Sequence, residues 1–386
     1  MKEKKICIMT TMSSSIDNWI KQFLPEYEKL GVKVTIVCNM TQDYAKKLED
    51  EYNNVVAYPI DFPRGANITK SIKSILKLKK LFKENNFDMV QYSTPNASVY
   101  GSIAAKRAGI PIRLYCQWGM VYVTSRGLKR TFYKFLEKTT CRLSTIVQPD
   151  SIGNLEFCRK EKLYDDKKSE VIWNGSAKGV DLSKYDAERK TEYSAEIKNR
   201  YNIPEDAVIL GFVGRLGAEK GCNELFLAFR ELEKQYKNLL LMFVGPIEKR
   251  ETITPELLKY FDENDKIIKT GRVSDVEKHI AAMDVFILPS HREGFGMSVV
   301  EAEAMEVPVI VTEYPGPICG MIPNKTGLTI PIGDPEKIIE AVKTLLEDKE
   351  KRRLFGKAGR EYAVNSFNKT EFTKKYMENR KKLLGI

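Results

Sequence analysis

Val285-Phe-Ile-Leu-Pro-Ser-His-Arg-Glu-Gly-Phe-Gly-Met-Ser-Val-Val-Glu301 joins a short apolar run to a glycine-rich loop and the start of a helix. The first four residues are apolar and Pro289 ends them, as in a buried strand of a parallel sheet. From Met297 onward no helix breaker follows for two turns, which predicts a helix. The pattern therefore predicts an α/β unit with Glu293 in a strand-to-helix loop and Glu301 in the first turns of the helix.

The loop also has the features of an anion site. Gly294 and Gly296 flank Phe295 and, having no Cβ, let the backbone approach a ligand closely. The main-chain amides near Met297 and Ser298 then open a helix, where unpaired N–H groups and the helix dipole favour phosphate. We expect these residues to bind the phosphates of a ligand.

Two carboxylates border this anion site. A carboxylate accepts hydrogen bonds from vicinal hydroxyls, so Glu293 suits a hexose and Glu301 suits a ribose. Glutamates eight positions apart are also common on solvated helices, and the spacing alone does not separate the two interpretations. The glycine-rich insert and the apolar strand before it favour a ligand site.

A second strand-to-turn segment carries positive charge. The apolar run Val208–Val213 ends in Gly214-Arg-Leu-Gly-Ala-Glu-Lys-Gly221. Arg215 can hold two phosphate oxygens with its planar guanidinium, and Lys220 can add a compact charge, which together would neutralise most of a diphosphate. The alternative is a surface turn whose cations are solvated.

Gly214-Arg215 with Lys220-Gly221, followed by Glu293 and Glu301, resembles the retaining glycosyltransferases of family 4, over nearly the whole chain. The resemblance implies that Arg215 and Lys220 hold the donor diphosphate, that Glu293 contacts the transferred sugar and that Glu301 binds the ribose. It also implies that Val273 lies near the base, where main-chain groups would read a uracil.

The resemblance implies a GT-B fold, in which two Rossmann-like, doubly wound α/β domains face each other across a cleft. Strands alternate with helices in both halves, as parallel sheets require. The N-terminal, acceptor-binding domain is expected at residues 1–182 with a returning C-terminal helix from about 367 to 386, and the nucleotide-sugar domain at 183–366. Residues 184–200, which are highly charged, are expected to form a surface helix at the boundary.

Two loops of the first half depart from the family pattern. Trp118-Gly119 stands where many relatives have a His-Gly pair that contacts the donor sugar, and tryptophan can stack on a sugar but cannot titrate near neutral pH. The first loop has hydroxyls in place of glycines. Ser13 and Ser14 are candidates to orient acceptor or phosphate, and the alternative is a helix N-cap formed by Ser15 or Asp17.

Composition narrows the function classes. The chain has 386 residues, 42% hydrophobic and 30% charged, which fits two globular domains. Two isolated histidines and no Asp-x-Asp triplet give no metal site, so we expect metal-independent catalysis without a cofactor. The seven scattered cysteines are interpreted as reduced core thiols. An N-terminus without a signal-peptide pattern predicts a cytoplasmic enzyme.

The net charge of +11 is clustered in two segments of the first half. Residues 70–83 interleave six lysines with apolar residues, and residues 126–142 place six cations among Phe132, Tyr133 and Phe135. Basic amphipathic helices of this kind bind anionic lipid, which predicts peripheral association with the inner face of the plasma membrane. The alternative is two ordinary helices with their apolar sides in the core and their lysines in water. A nucleic-acid partner is not expected, because no binding motif for one accompanies the charge.

These observations predict an enzyme that transfers a hexosyl or N-acetylhexosaminyl group, with retention, from a nucleotide diphosphate sugar, of which UDP is the favoured nucleotide. The resemblance implies that the acceptor is a glycan or lipid-linked glycan precursor of a bacterial capsule or cell-surface polysaccharide. Three alternatives stay open: a nucleotide-sugar epimerase of the same fold, a glycogen-synthase-like polymerase, and a non-catalytic nucleotide-sugar binder.

Overall fold

The structure, a computed structural model, describes residues 3–63 and 68–386 of the chain. It consists of two compact units. One contains the residues up to Lys178 together with Glu371–Ile386, and the other is Gly179–Thr370. The boundaries expected from the sequence lay after residues 182 and 366.

The first unit is built on a six-stranded parallel sheet with the order β3-β2-β1-β4-β5-β6. Its strands are β1 (Lys5–Met12), β2 (Lys33–Asn39), β3 (Val55–Pro59), β4 (Met89–Ser93), β5 (Ile112–Gln117) and β6 (Ile146–Pro149). Its helices before the boundary are α1 (Ser13–Trp19), α2 (Leu24–Lys29), α3 (Gln42–Glu51), α4 (Ile68–Asn85), α5 (Pro95–Ala108), α6 (Gly127–Leu143) and α7 (Ile152–Lys160).

The sequence pattern predicts one helix from Asp17 to Leu30. This prediction is wrong, because the structure divides the segment. α1 ends at Trp19, a short 3₁₀ turn covers Lys21–Phe23, and α2 follows. Pro25 occupies the first turn of α2. A proline there lacks the N–H that a continuous helix would need, so it starts a new helix instead of extending the old one.

The second unit has the same sheet architecture, with the order β12-β11-β10-β7-β8-β9 and all strands parallel. Its strands are β7 (Val208–Val213), β8 (Leu239–Val244), β9 (Ile267–Gly271), β10 (Val285–Leu288), β11 (Val309–Thr312) and β12 (Gly327–Ile330). The remaining helices are α8 (Lys190–Arg200), α9 (Cys222–Gln235), α10 (Pro255–Glu263), α11 (Val276–Ala281), α12 (Met297–Ala304), α13 (Pro335–Glu347), α14 (Lys349–Phe367) and α15 (Lys369–Leu384).

Most of α15 packs in the N-terminal unit, which confirms the expected return of the C-terminal helix. Tyr376 stacks on Phe23 at a ring-centroid distance of 3.8 Å. Arg380 is fully buried, with its guanidinium 4.0 Å from the Tyr376 ring centroid and its Nε donating to Gln91. The chain end therefore completes one core of this unit instead of lying free.

The charged helix α8 is a packed element of the second unit. It lies on α11, and its Tyr193 and Ile197 are buried. The expected surface helix is therefore present, but it is not a linker at the boundary: the units divide between Lys178 and Gly179, and two apolar residues fix the inner side of α8 to the second unit.

The order of each sheet reverses beside its first strand. In the second unit β8 lies on one side of β7 and β10 on the other, and in the first unit β2 and β4 flank β1 in the same way. The loops at the carboxyl ends of such neighbours diverge and leave a crevice, which is where open α/β sheets bind ligands. The loops after β7 and β10, which contain the predicted site residues, adjoin this point.

Two general properties complete the fold. All seven cysteines are free thiols, six of them buried and Cys319 half-buried. Among the helices of residues 3–63 and 68–386, none is both long enough and apolar enough to serve as a membrane span.

Candidate active site

The turn after β7 packs directly on the end of β10. Gly221 has φ of +71°, and a Cβ at this position would come within 2.0 Å of the Pro289 carbonyl oxygen. Only glycine fits both the left-handed backbone and this contact. The close approach brings Lys220, which precedes the glycine, to the loop that contains Glu293.

Lys220 and Glu293 form a salt bridge. The Lys220 ammonium donates to Glu293 Oε1, and the Ser290 hydroxyl donates to the same oxygen at 3.0 Å. Thr312 Oγ1 at the end of β11 donates to the Ser290 carbonyl at 2.6 Å, which ties this loop to the sheet. The side chains of Lys220 and Glu293 are 19% and 16% exposed, so both are held but still reach solvent. The structure thus joins two residues that the sequence had assigned to separate motifs.

Arg215 lies nearer the surface and faces a carboxylate that was not predicted as part of the site. Its guanidinium is 3.6 Å from Glu219 Oε1, and Lys249, in the loop after β8, pairs with the same oxygen. Burial by itself raises the pKa of Glu219, but the hydrogen bond from Lys249 and the charges of Lys249 and Arg215 lower it overall. Arg215 and Lys249 therefore share a single carboxylate, that of Glu219.

The start of α12 has the expected helix-terminal geometry. Gly296 is the N-cap, with φ of +84°, and no side chain caps the helix. Met297 is buried and Ser298 half-buried in the first turn. Phe295 is buried, with its ring 5.1 Å from that of Phe367 in an edge-on contact. The Phe295 side chain is therefore a packing anchor, and its ring is not available to a ligand.

Glu301 is nearly buried inside α12, and a tyrosine contacts it. The Tyr185 hydroxyl lies near the Glu301 carboxylate. Burial, then the charges of Glu301 and Glu277, raise the pKa of Tyr185 well above 10. A neutral phenol therefore faces the carboxylate and is able to donate to it. The Lys220–Glu293 pair lies on the loop that precedes α12.

Val273 follows β9, at the same sheet edge as the β7 loop. It is half-buried between β9 and α11. Gly245 N, after β8, donates to the Gly271 carbonyl at 3.0 Å, and Gly214 N donates to Val244 O at 2.9 Å. These bonds hold the carboxyl ends of three neighbouring strands level.

The candidates in the first unit fall into two groups. Ser13 and Ser14 occupy the first turn of α1. The alternative of an N-cap at Ser15 or Asp17 is wrong, since Met12 is the N-cap and both residues lie within the helix. Asp17 instead accepts a hydrogen bond from the Tyr44 hydroxyl at 2.8 Å.

Trp118 lies in the loop after β5, followed by Gly119 with φ of +109°. Its ring is 6.0 Å from that of Trp19. The two indoles border a cavity of about 30 Å³ that Asp150 and Arg380 also line and that Ser13 and Ser14 do not. The structure therefore places Trp118 beside a second aromatic ring, apart from the two serines.

Sequence reasoning missed several residues around the anion site. The sequence pattern leaves His291 isolated. In the structure its ring Nε2 is 3.0 Å from Glu224 Oε1, and its main-chain N–H donates to the Glu219 carbonyl. Glu219 lies inside the glycine-rich turn, so its position in the motif was the available signal. For Lys249 and Tyr185 no local signal exists, because both come from distant loops.

Metal ligands do not cluster in the described residues: no three His, Cys, Asp or Glu side chains converge within residues 3–63 and 68–386. Metal-independent catalysis stays a prediction.

Comparison with known proteins assigns the family. Residues 194–362 match the sequence model of the family described as glycosyl transferases group 1, and residues 5–151 match that of the glycosyl transferase 4-like family. The capsular polysaccharide biosynthesis glycosyltransferase CapM of Staphylococcus aureus is 29% identical over 95% of this chain and 94% of its own length.

A second relative, from Escherichia coli, is named UDP-Gal:alpha-D-GlcNAc-diphosphoundecaprenol alpha-1,3-galactosyltransferase. It is 29% identical over 79% of this chain and 78% of its own length. Among solved structures, sucrose-phosphate synthase from Thermosynechococcus elongatus superposes with a TM-score of 0.81 at 17% identity, covering 99% of this chain and 100% of that one. Two six-stranded parallel sheets, each with an order that reverses beside its first strand, are the GT-B architecture, and the chain belongs to the family 4 glycosyltransferases, alongside enzymes of capsule and cell-surface polysaccharide biosynthesis.

Proposed function

We propose that this glycosyltransferase moves a hexosyl or N-acetylhexosaminyl group from a UDP-sugar to a lipid-linked precursor of a cell-surface glycan, with retention and without a metal ion. The observation that carries the proposal is the Lys220–Glu293 contact, located where the sheet order reverses between β7 and β10. A cation and a carboxylate side by side suit a ligand in which a diphosphate adjoins a hydroxylated ring.

The donor diphosphate would contact Arg215, Lys220 and the amides that open α12. Arg215 is exposed and able to turn its planar guanidinium onto two phosphate oxygens. Glu293 would accept hydrogen bonds from sugar hydroxyls, and Glu301, oriented by Tyr185, from the ribose. Main-chain groups near Val273 would read the uracil. The Escherichia coli relative, whose name gives UDP-Gal as donor and a diphosphoundecaprenol-linked sugar as acceptor, supports both substrate classes.

Departure of the diphosphate is the costly event in this chemistry. Arg215, Lys220 and the α12 amides would act where negative charge grows on the leaving group, as preorganised electrostatic groups. A retaining glycosidase instead uses a carboxylate nucleophile beside a carboxylic acid. Here Glu293 is engaged by Lys220 and Ser290, which suits a hydrogen-bonding role. Attack of the acceptor would then occur on the face from which the diphosphate leaves, with a diphosphate oxygen taking the acceptor proton.

Ligand-dependent thermal stability tests the donor assignment, because a ligand that binds only the folded protein raises its melting temperature. UDP and UDP-sugars should stabilise the protein more than GDP or ADP sugars at equal concentration. A larger shift with GDP or ADP sugars would reject UDP as the nucleotide.

Product analysis tests the reaction. NMR of the product should show the anomeric configuration of the donor, and an inverted centre would reject retention. Turnover should persist in excess chelator, whereas loss with recovery on adding manganese would reject metal independence.

The epimerase alternative gains no support from the two histidines. His279 is fully buried, with its ring nitrogens 2.9 Å from the Asp275 carbonyl oxygen and 3.1 Å from the Tyr201 hydroxyl. His291 is engaged by Glu224. Incubation with a UDP-sugar alone separates the classes: an epimerase releases an epimerised sugar without acceptor, and a non-catalytic binder consumes no donor with any acceptor.

A further inference from the structure

The helix α6 exposes an apolar stripe to solvent. Leu128, Phe132 and Phe135 are 90%, 53% and 64% exposed. Their spacing of four and three residues aligns them along one side of the helix. Large apolar side chains in such a row cost free energy in water, so a contiguous exposed stripe marks a contact surface.

This stripe is not the side by which α6 packs on its unit. Thr140 and Cys141 are the buried residues of the helix, and Cys141 belongs to the apolar core that α4 and α5 share. At about 3.6 residues per turn, Cys141 lies on the opposite side of α6 from Phe132. The sequence alternative of an ordinary helix, with its apolar residues in the core and its lysines in water, is therefore wrong for α6.

Positive charge borders the stripe. Arg126, Lys129 and Lys138 are exposed along the same helix. The only acidic residue of α6 is Glu137, and it accepts hydrogen bonds from Tyr115 and Gln117 on β5. The outer side of the helix thus combines apolar groups and cations without an exposed acid.

The helix α4, which packs on the other side of α5, repeats this pattern. Leu78 and Phe82 anchor α4 in the core that Cys141 also joins. Ile72 and Leu76, one turn apart, are instead about half exposed, among exposed lysines such as Lys73 and Lys77. Two helices of this unit therefore present the same chemistry outward.

We infer that the outer sides of α6 and α4 form a docking surface for an anionic phospholipid bilayer, with Leu128, Phe132 and Phe135 inserted at the headgroup boundary. Apolar side chains enter that boundary while lysines and arginines pair with lipid phosphates. A protein partner would be favoured by an apolar patch alone, but the accompanying cations match a negatively charged surface. The inference deepens the proposed function, since a lipid-linked acceptor is presented at such a surface.

Vesicle sedimentation of the full chain, without donor or acceptor, tests the surface itself. The parent protein should bind vesicles of phosphatidylcholine with 30% phosphatidylglycerol, and bind pure phosphatidylcholine at least tenfold more weakly. Phe132→Ser with Phe135→Ser should lower binding to anionic vesicles at least tenfold. Leu354→Ser, a matched change at a half-exposed leucine of α14 in the other unit, should leave it unchanged.

The charge contribution has its own variant. Lys129→Gln with Lys138→Gln should lower binding by about fivefold per lysine, with the difference shrinking at high salt. Lys349→Gln with Lys357→Gln, two exposed lysines of α14, is the charge-matched control and should bind like the parent. Tryptophan at position 132, from Phe132→Trp, should be quenched by lipids brominated near the headgroup.

Three outcomes would overturn the inference. The Phe132/Phe135 variant could sediment with anionic vesicles at the parental level, or the parent could bind neutral and anionic vesicles equally. The third outcome is that the parent forms a dimer, the variant is a monomer, and neither protein binds vesicles. Stabilisation by UDP should be the same in parent and variants, because the stripe is outside the donor site. A parent that binds anionic vesicles but is not stabilised by UDP would refute the donor assignment and leave the docking surface standing.

Discussion

Lys220 donates a hydrogen bond to Glu293 although 73 positions of sequence separate them. The contact exists because β7 and β10 are adjacent in the sheet and because Gly221 lets the two following loops touch. Each partner holds the other while both stay partly open to solvent. A substitution at either residue should therefore change the energetic effect of a substitution at the other.

A double-mutant cycle on this pair should show coupling. Lys220→Ala and Glu293→Gln should each lower the free energy of unfolding by about 1–3 kcal/mol, because a partly buried partner loses its hydrogen bond. The double variant should fall short of additivity by more than about 0.5 kcal/mol, measured by urea unfolding. Lys337 and Glu340, an exposed pair on α13, provide the control, and their coupling should stay below about 0.5 kcal/mol. Additive effects at Lys220 and Glu293 would contradict the contact.

Arg215→Ala should reduce kcat by roughly 10- to 150-fold, since a hydrogen bond to a charged group contributes about 1.5–3 kcal/mol. Arg215→Lys should restore only part of the loss, because an ammonium cannot hold two oxygens in one plane. Arg230→Ala, which removes an arginine paired with exposed Glu256 on α10, is the control and should keep parental kinetics. The measurement is steady-state kinetics at saturating donor. An unchanged kcat for Arg215→Ala would contradict the assignment.

The Tyr185–Glu301 contact predicts a different signature. Glu301→Ala should mainly weaken nucleotide binding, seen as a raised Kd for UDP by calorimetry. Tyr185→Phe should weaken it by about 2- to 12-fold, the equivalent of one lost hydrogen bond of about 0.5–1.5 kcal/mol that orients the carboxylate. Tyr236→Phe removes a comparable hydroxyl contact, to Glu347 at the surface, and should leave the Kd unchanged. An unchanged Kd for UDP in Tyr185→Phe would contradict the proposed role of Tyr185 in orienting Glu301.

Gly221→Ala should be among the most damaging single-atom additions in the second unit. A Cβ there would lie 2.0 Å from the Pro289 carbonyl, on top of the cost of a left-handed backbone. Gly333→Ala is a matched control, with φ of +77° and no atom closer than 3.9 Å, so it carries the backbone cost alone, about 1 kcal/mol. Thermal unfolding should separate the two variants by several degrees. Equal melting temperatures would mean that the loops do not need their close approach.

The sequence predicts helices and strands where the apolar pattern is strong, but it misses the strands at two sheet edges. The strands missed in the sequence are β3 and β12, each at the edge of its sheet. β3 alternates buried and exposed residues, with Val56 and Tyr58 facing solvent, and ends in Pro59. An edge strand buries less and pairs on one side only, so its sequence need not carry the continuous apolar run that identified the central strands.

The sequence proposes residue types for the candidate site, whereas the contacts between them come from the structure. Arg215, Lys220 and Glu293 were chosen because their chemistry suits a diphosphate sugar, yet the pairing of Lys220 with Glu293 depends on which strands are neighbours. Phe295 was included because it lies within the motif, whereas its side chain packs on Phe367. A motif records which residues are near in sequence, and the sheet order decides which side chains meet.

Glu303 supplies the prediction that links stability to pH. It lies in α12, fully buried and packed against Gly359 of α14, and burial raises the pKa of its carboxyl well above the ordinary 4.5. The folded protein then keeps the proton to a higher pH than the unfolded chain, which releases it around pH 4.5. Between these two pKa values the folded state binds more protons than the unfolded chain. The contribution of Glu303 to the free energy of unfolding is therefore fully present below pH 4.5. It falls as the pH rises, by about 1.4 kcal/mol per pH unit while Glu303 stays protonated in the folded protein.

Glu303→Gln should remove this dependence, because an amide of the same shape does not release a proton. Relative to the parent, its free energy of unfolding in urea should gain as the pH rises above about 4.5, until Glu303 ionises in the folded parent. Glu340→Gln, at an exposed position of α13, should show no such trend. UDP binding by the Glu303 variant would confirm that α12 keeps its structure. A pH-independent difference between parent and variant would mean that Glu303 is ionised in the folded protein, and that α12 and α14 hold a buried charge instead of a neutral acid.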